Sequence, residues 1–401
     1  SDMITNFKNS ISRVSKRYIF ILIATIMVLF PGHAQVKILK KQTIFPLQEN
    51  HVHSSSIVEL PNGDILSCWF EGSGERNADD VKIKGARLKN GDKQWGKPFL
   101  LADTPEFPDC NPVLFLNPKN ELFLFWIVIK SNRWEESILK YKKSIQYESY
   151  GPPVWSWQDI ILLKPGEDFK KSTELKFNEL PERGVGWGEY APLYEKMLVE
   201  AAGDKAKRQS GWMTRTKPLL LNSGRILLPL YSDGFNFSII AYSDDNGNRW
   251  KTSEPIVGYG NVQPSLTQRK NGDIVALMRD NGDRPNRVIQ SISSDRGENW
   301  SAVKDLNIYN PGSSLHTLHL SGGKWLMVNN NLEHGRNILN LNQSLDEGET
   351  WESIFEIENS DNPKDSFSYP TIIYCKKKQI HLTYSYSSGG QKTIMHAIIE
   401  N

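Results

Sequence analysis

Polar and titratable residues recur at corresponding places in this 401-residue sequence, each near the start of an apolar, β-rich segment. The set consists of His53, Asp109, Asn111, Arg215, Gln263, Asn310 and Tyr369. A histidine can give or take a proton near neutral pH, and a guanidinium is a permanent cation that binds anions through paired hydrogen bonds. Together with a tyrosine, such groups suit proton transfer beside a bound carboxylate. Their equivalent positions in six segments predict one shared polar pocket.

The composition limits the ligands that this pocket can serve. Lys and Arg total 48 and Asp and Glu total 46, which gives a net charge of +2. A chain so nearly neutral has no broad positive field to attract nucleic acid, so anion binding must come from local arginines. The sequence has no cysteine cluster or His-x-x-x-His pattern, and no glycine-rich phosphate loop before a helix. We therefore expect neither a metal nor another cofactor.

A sequence repeat predicts the elements that position these residues. Three segments share the pattern S-x-D-x-G-x-x-W, at 243–250, 293–300 and 344–351. In such an Asp box the carboxylate can accept hydrogen bonds from the N–H groups of a tight turn, while the glycine adopts a positive φ. The tryptophan can then pack against the next strand. We therefore interpret these aspartates as structural residues of hairpins, without a catalytic role.

Hairpin turns alternate with the Asp boxes along the chain. They fall at 61–64, 117–120, 222–225, 270–273, 321–324 and 375–378. Each turn joins two apolar runs, as in a β-hairpin. Six units, each with an inner and an outer hairpin, predict an all-β, six-bladed β-propeller with Asp-box repeats. The last unit lacks an outer strand, and we expect residues 35–44 to supply it.

One interval between hairpin turns is about two periods long. It separates the turn near Asn120 from the turn at Gly224, and residues 192–207 within it have the spacing of a helix. We predict a helical insertion at about 160–213, between blades two and three. A degenerate seventh blade is the alternative.

The N-terminal segment has the pattern of a secretion signal. Four basic residues between positions 8 and 17 precede an apolar run at 18–30, and the small residues Gly32 and Ala34 follow it. The run is short for a membrane span. We expect residues 1–34 to be a cleaved signal peptide and 35–401 to form a single domain. The mature protein would then be periplasmic or secreted and would have no membrane span, whereas an uncleaved signal anchor is the alternative.

The Asp boxes and the polar blade heads resemble the sialidase-like superfamily of Asp-box propellers, in particular its BNR-repeat branch. The resemblance runs from about residue 51 to residue 400. It implies an exo-acting glycoside hydrolase that cleaves a terminal acidic sugar from a glycan. In that family three arginines hold the carboxylate of the substrate, and a tyrosine at the head of blade six is the nucleophile. A neutral phenol is not repelled by the anionic sugar, which makes sialidases an exception among glycosidases.

The resemblance implies roles for individual residues. Arg279 and Arg336 match two of the three carboxylate-binding arginines, and Tyr369 matches the nucleophile. Asp80, in a loop of blade one, is the best match to the acid/base aspartate. The polar residues Asp109, Asn111 and Asn310 are expected to contact the substrate.

Two positions depart from the family pattern. His53 stands where the third arginine is expected, and Gln263 replaces the glutamate that takes the phenolic proton. A neutral amide is not a base, so the usual tyrosine–glutamate couple is broken. Arg215 or Arg76 is expected to supply the missing positive charge, and His53 to assist as an acid or base.

Three functions therefore stay open. The first is exo-hydrolysis of a terminal acidic sugar. The second is a polysaccharide lyase acting on uronic-acid glycans, in which a tyrosine and a histidine abstract a proton and an arginine neutralises the enolate. The third is a non-catalytic glycan-binding propeller. In each case we expect a monomer with an acidic glycan as its ligand.

Overall fold

The computed structural model describes residues 36–181, 190–282 and 284–400, and the predicted signal peptide lies outside them. Within these ranges 25 strands form six sheets. Blade one contains β2 (His51–Glu59), β3 (Ile65–Gly72), β4 (Lys82–Leu88) and β5 (Phe99–Ala102). Blade two contains β6 (Asp109–Leu116), β7 (Leu122–Ile129), β8 (Ser137–Ser144) and β9 (Trp157–Ile160). A short 3-10 turn, Trp134–Glu136, precedes β8.

The next two blades follow the same chain order, except that the innermost position of blade three is divided between two short strands. Blade three contains β10 (Trp212–Met213), β11 (Leu219–Leu220), β12 (Ile226–Ser232), β13 (Phe237–Ser243) and β14 (Lys251–Thr252). In this blade β10 and β11 both pair with β12. Blade four contains β15 (Asn261–Gln268), β16 (Ile274–Asp280), β17 (Arg287–Ser293) and β18 (Lys304–Tyr309).

The last two blades close the propeller. Blade five contains β19 (His316–His319), β20 (Trp325–Asn329), β21 (Ile338–Ser344) and β22 (Glu352–Asn359), with a 3-10 turn at Ser321–Gly323. Blade six contains β23 (Ser366–Tyr374), β24 (Ile380–Ser388) and β25 (Gln391–Glu400). Its fourth strand is β1 (Lys37–Thr43), which pairs with β25. The expectation that the N-terminal side supplies the missing outer strand is confirmed.

The position of a strand within its blade explains its sequence. Strand β7 is apolar and buried at every residue, because both of its faces pack against neighbouring blades. Strand β9, at the outer edge of the same blade, is exposed throughout. The apolar runs of the sequence therefore mark the inner strands, which surround the axis and carry the polar blade heads.

The Asp boxes brace hairpins, as predicted. In the first box the Asp245 carboxylate accepts hydrogen bonds from the Ser243 hydroxyl and the Arg249 N–H, both at 2.8 Å. The second and third boxes repeat this arrangement. Trp300 is buried and donates its indole N–H to the carbonyl of Gly297. These carboxylates hold turns together at the rim of the propeller.

The long interval between blades two and three forms helices, so the seventh-blade alternative is wrong. The helices are α1 (Phe169–Asn178), α2 (Ala191–Gly203) and α3 (Lys205–Arg208). The Phe169 ring of α1 packs 5.7 Å from Phe235 in blade three. In the described part of the chain no helix has the length and apolar character to cross a membrane. Cys68, Cys110 and Cys375 are free and buried.

Candidate functional site

Four blades carry the same β-bulge in their innermost strand. In β2, β6, β15 and β23 two residues oppose one residue of the neighbouring strand. The first bulge residue has a left-handed φ in each case: 62° at Ser54, 50° at Asn111, 55° at Gln263 and 53° at Tyr369. Such backbone costs about 1–3 kcal/mol per residue and is typical of functional sites. Bulges re-aim side chains, and here Asn111, Gln263 and Tyr369 reach one pocket.

This pocket has a volume of about 270 Å³ and lies at the ends of the inner strands where those strands begin. Its ionisable lining residues are His53, Glu75, Asp233, Arg279, Arg336 and Tyr369. Its neutral polar lining includes Asn111, Gln263, Asn281 and Tyr231. The pocket therefore combines cationic, anionic and phenolic groups in the space of a single sugar ring.

The hydroxyl of Tyr369 is the point where these groups converge. Arg279 Nη1 donates a hydrogen bond to Tyr369 Oη at 2.8 Å, and Gln263 Nε2 donates to the same oxygen at 3.2 Å. Burial raises the pKa of Tyr369, but the charges of Arg279 and Arg336 and the Gln263 hydrogen bond lower it more. The net pKa is below that of a free phenol, so the reactive phenolate forms more readily than it would from a free tyrosine.

Two guanidinium groups face this hydroxyl. Arg279 lies beside the bulge because it pairs directly with Val262, the residue before Gln263 in the neighbouring strand. Arg336 is held beside blade six by the hydrogen bond from Phe367 N–H to its carbonyl, and its Cζ lies 5.5 Å from the centre of the Tyr369 ring. Neither guanidinium forms an ion pair with a carboxylate within the described ranges. Arg336 donates to the carbonyl of Gly312 at 3.1 Å and Arg279 to Asn281 Oδ1 at 3.2 Å, but these neutral partners leave the positive charges able to attract a bound anion.

A second tyrosine shares the amide of Gln263. Tyr231 Oη accepts hydrogen bonds from Gln263 Nε2 at 3.1 Å and from Asn111 Nδ2 at 3.0 Å. Burial raises the pKa of Tyr231, so this phenol stays neutral while Tyr369 ionises more readily. The amide of Gln263 thus orients both hydroxyls, although it cannot accept a proton from either.

His53 packs against the nucleophile candidate. The centroids of the His53 and Tyr369 rings lie 4.0 Å apart, and His53 Nδ1 is 2.8 Å from Ser385 Oγ. Burial holds the pKa of His53 well below its usual value, so the imidazole is neutral at physiological pH. The predicted neighbourhood of His53, Gln263, Arg279, Arg336 and Tyr369 is therefore present in the structure.

Two carboxyl groups line the pocket, and the sequence reasoning selected neither as a site residue. Burial raises the pKa of Glu75, but His51, His53 and Arg336 outweigh it and bring the pKa to about 2, so Glu75 is ionised. Burial and the nearby Glu135 raise the pKa of Asp233. A carboxyl with a raised pKa suits a general acid. The feature of the sequence that could have identified Asp233 is its position directly after the buried strand β12.

The structure does not bring Asp80 into the pocket. Its carboxylate accepts hydrogen bonds from the N–H and hydroxyl of Ser73, at 3.0 and 2.9 Å. These bonds lower the pKa of Asp80, which braces its own loop at the surface. The carboxyl groups that line the pocket are those of Glu75 and Asp233 instead.

Asp109 and Asn310 likewise lie outside the pocket lining. Asp109 accepts hydrogen bonds from Thr104 N–H and from the indole of Trp126, both at 2.7 Å. Asn310 accepts from Gly312 N–H at 3.0 Å and donates to Asn329. Both residues are buried and satisfy local backbone and side-chain groups, whereas Asn111 does reach the pocket.

The two arginines proposed to replace the missing cation differ in position. Arg215 is buried and absent from the pocket lining, because its guanidinium donates to the carbonyls of Ser55 and Pro370 at 3.1 Å. Arg215 therefore lies behind the pocket and supports the residues that line it. Arg76 lies at the entrance, with its Cζ 5.7 Å from the Trp134 ring.

Comparisons with known proteins agree with this architecture. The model of the BNR repeat-like domain matches residues 63–177 and 207–382. An anhydrosialidase of Macrobdella decora is 22% identical over 241 residues, which cover 54% of this chain but only 30% of that protein.

Solved structures resemble the whole propeller. The NanB sialidase of Streptococcus pneumoniae has a TM-score of 0.63 at 12% identity, covering 90% of this chain and 70% of its own. The intramolecular trans-sialidase of Ruminococcus gnavus has a TM-score of 0.61 at 14% identity, covering 88% and 94%. A protein of unknown function from Dyadobacter fermentans has a TM-score of 0.64 at 16% identity, covering 92% and 100%. At these identities the likeness shows the fold.

Proposed function

The chain belongs to the family of BNR repeat-like domain proteins, and from that premise we propose that it is an exo-acting glycoside hydrolase of the sialidase-like type. It removes a terminal acidic sugar from a glycan. One observation carries the proposal: Arg279 and Arg336 converge on Tyr369, with 2.8 Å between Arg279 Nη1 and the Tyr369 hydroxyl. The sialidase named among the solved structures supports the same class of substrate.

The geometry favours a particular kind of acidic sugar. A carboxylate bound by the two guanidinium groups lies within a few ångströms of Tyr369 Oη, because Arg279 contacts that oxygen directly. The reacting carbon must therefore carry the carboxylate. In a hydrolase this describes a ketoside, in which the anomeric carbon itself bears the carboxylate group.

The reaction proceeds in two balanced steps. Tyr369 loses its proton to solvent, which its lowered pKa permits, and its oxygen attacks the anomeric carbon as the glycosidic C–O bond breaks. Asp233 gives its proton to the departing oxygen. In the second step water attacks the anomeric carbon, Asp233 takes a proton from that water, and the bond to Tyr369 breaks.

Hydrolysis of an aryl 2-keto acid glycoside tests the proposal. We expect release of the aryl alcohol and of a free sugar acid, and loss of at least 1,000-fold in kcat with Tyr369→Phe, about the contribution of a covalent nucleophile. Tyr150→Phe is the matched control, because Tyr150 is 82% exposed and lies outside the pocket. Equal turnover by the Tyr369→Phe variant would remove this residue from the mechanism.

One observation favours a second candidate, a polysaccharide lyase. Gln263 cannot take the phenolic proton, whereas the neutral His53 lies against Tyr369. If the bound carboxylate belongs to a uronate, Tyr369 takes the C5 proton and the electron pair moves to the carboxylate. The C4–O bond then breaks, Asp233 protonates the leaving oxygen, and a C4=C5 double bond forms. Its ultraviolet absorbance distinguishes elimination from hydrolysis, and binding without either product indicates a non-catalytic propeller.

A further inference from the structure

A second cavity, of about 860 Å³, lies at the opposite ends of the inner strands. The strands that begin at the candidate site end here, and Glu59, Leu116, Gln268 and Tyr374 contribute the ends of β2, β6, β15 and β23. Among the described residues, the linings of the two cavities have none in common. We call this cavity the far mouth. It is separate from the sugar pocket along the propeller axis.

A lysine at the far mouth has an incompletely compensated charge. The Nζ atom of Lys217 donates a hydrogen bond to the carbonyl of Ile57, and within the described ranges no carboxylate lies within ion-pair distance of it. Burial lowers the pKa of Lys217 to about 8, so the amine is mostly protonated at neutral pH. A desolvated ammonium with one carbonyl partner gains free energy from a bound anion.

A histidine adds a second donor beside it. His316 Nδ1 accepts the N–H of Ile372 at 3.0 Å, and burial, reinforced by the charge of Lys217, lowers the pKa of His316 to about 3. The imidazole is therefore neutral, and because Nδ1 is an acceptor, Nε2 carries the hydrogen. His316 and Lys217 both line the far mouth, so an anion at its inner end meets two donors.

Much of the remaining lining is apolar, although neutral polar residues such as Thr267, Gln268 and Thr317 lie among the apolar ones. Val58, Leu219, Leu266 and Leu318 form part of its wall, while Leu220 and Tyr374 at the rim are 41% and 51% exposed. Glu59 is the only acidic residue in the described lining, and its carboxylate already accepts the N–H of Lys376. The exposed Lys270 adds positive charge, whereas the guanidinium of Arg269 is already ion-paired with Glu349. The far mouth thus offers a cationic inner end and an apolar stretch of wall that runs to the rim at Leu220 and Tyr374.

We propose that the far mouth binds a small organic carboxylate with an apolar body. The carboxylate accepts hydrogen bonds from Lys217 and His316, and the hydrocarbon lies along Leu219, Leu220 and Tyr374. This chemistry differs from that of the sugar pocket, since a carbohydrate presents hydroxyl groups to polar side chains. The site is therefore independent of the proposed glycosidase activity.

Calorimetric titration with decanoate tests the proposal on the whole protein. We expect binding of decanoate and at least tenfold weaker binding of decanol, which has the same chain length without the charge. Lys217→Met should weaken decanoate binding at least tenfold, whereas Lys251→Met, on the outer strand β14, should leave it unchanged. Raising the pH from 7 to 9.5 should weaken binding as Lys217 loses its proton.

Further variants separate the outcomes. Arg279→Met should leave decanoate binding intact, because Arg279 lines only the sugar pocket. Leu220→Asp places a repelling carboxylate at the exposed rim without altering the core, and should also weaken binding tenfold. The proposal is overturned by equal affinity for decanol, by no binding at millimolar decanoate, or by full binding in a folded Lys217→Met variant. A loss caused by Arg279→Met alone would overturn it too, since decanoate would then occupy the sugar pocket.

Discussion

The guanidinium of Arg215 lies beneath the Tyr369 ring, with 4.8 Å between its Cζ and the ring centroid. The carbonyls of Ser55 and Pro370 fix it between the bulges of blades one and six. A desolvated cation on an aromatic face contributes about 2 kcal/mol, and it also favours a negative charge on the phenol. The site therefore holds three guanidinium groups around Tyr369, but one of them contacts the ring from the buried side.

Replacing Arg215 by Met should raise the pKa of Tyr369. Because the phenolate is the reactive form, the rising limb of the pH profile of kcat/KM should move to higher pH, with about a tenfold loss of kcat at neutral pH. Arg215→Lys should restore part of the shift. A variant that only lowers the melting temperature, with an unchanged pH profile, would show that Arg215 is purely structural.

Arg336→Met should weaken binding of the acidic sugar. Removing one partner of a buried charge pair costs about 2 kcal/mol, or roughly 30-fold in kcat/KM. The methyl ester of the substrate has no carboxylate and provides the control. The variant should lose much less activity on the ester than on the acid, because only the effect of Arg336 on the pKa of Tyr369 is then removed. An equal loss on both substrates would argue against carboxylate recognition by Arg336.

Asp233→Asn should remove the proton donor for the leaving group. The rate on an alkyl glycoside should fall by about 100-fold or more, while an aryl glycoside with a good leaving group should be affected much less. In wild type, activity should decline as the pH rises through the raised pKa of Asp233. Asp80→Asn is the matched control, because Asp80 is bound to Ser73 outside the pocket. A loss of activity in Asp80→Asn but not in Asp233→Asn would assign the general-acid role to Asp80.

The Gln263→Glu substitution restores a carboxylate beside Tyr369 and tests whether the missing tyrosine–glutamate couple limits the activity. The new carboxylate would lie where the amide is now, 3.2 Å from Tyr369 Oη, and could accept the phenolic proton. We expect kcat for ketoside hydrolysis to rise about tenfold, which is less than the roughly 100-fold or more that a general base usually contributes, because the lowered pKa of Tyr369 already favours its ionisation. Gln263→Leu should not show this gain. Accelerated formation of unsaturated product in place of hydrolysis would favour the lyase.

A buried histidine pair should make folding sensitive to acid. His381 Nδ1 lies 2.9 Å from His396 Nε2, and Trp95 donates its indole N–H to His396 Nδ1 at 3.1 Å. Burial lowers the pKa of His381 to about 4 and of His396 to about 3. The unfolded chain binds protons below pH 6.5, so this stability is present above that pH and is lost as the pH falls towards 4.

Urea unfolding at pH 7 and pH 5 measures this effect. Each histidine should reduce the free energy of unfolding by about 2 kcal/mol over that interval. The His396→Gln variant should show a smaller dependence, whereas His334→Gln, an exposed residue, should match wild type. An equal slope in all three proteins would assign acid sensitivity to other groups.

The sequence predicts those parts of the site that depend on repetition. Asp boxes are local turns whose chemistry is visible in eight residues, so the blades and the positions of Arg279, Arg336 and Tyr369 follow from their spacing. The direction in which a loop side chain points does not follow from such a repeat. Glu75 and Asp80 are five residues apart in one loop, and only the hydrogen bonds of Asp80 to Ser73 decide which carboxyl enters the pocket.

The position of the buried Arg215 side chain and the helices of the insertion also could not be predicted from repetition. Arg215 occupies a blade head, but the carbonyls exposed by two bulges draw its guanidinium inward, and a bulge has no clear sequence pattern. In α1 the buried residues are Phe169, Thr173 and Phe177, spaced four apart in an otherwise charged segment. These buried residues pack against blade three. Three apolar or small positions in a charged segment are too few to predict the helix from the sequence, so it is recognised only from this contact.

Strand β1 completes blade six by pairing with β25, near the other end of the chain. During synthesis on the ribosome this pairing must wait until the whole segment between Thr43 and Gln391 has been translated. A contact of such high sequence separation also forms slowly, because the whole intervening chain must be ordered for it. The ring of blades is therefore closed late in folding. A truncation that removes β25 would leave the ring open, with two unpaired strand edges exposed to other chains.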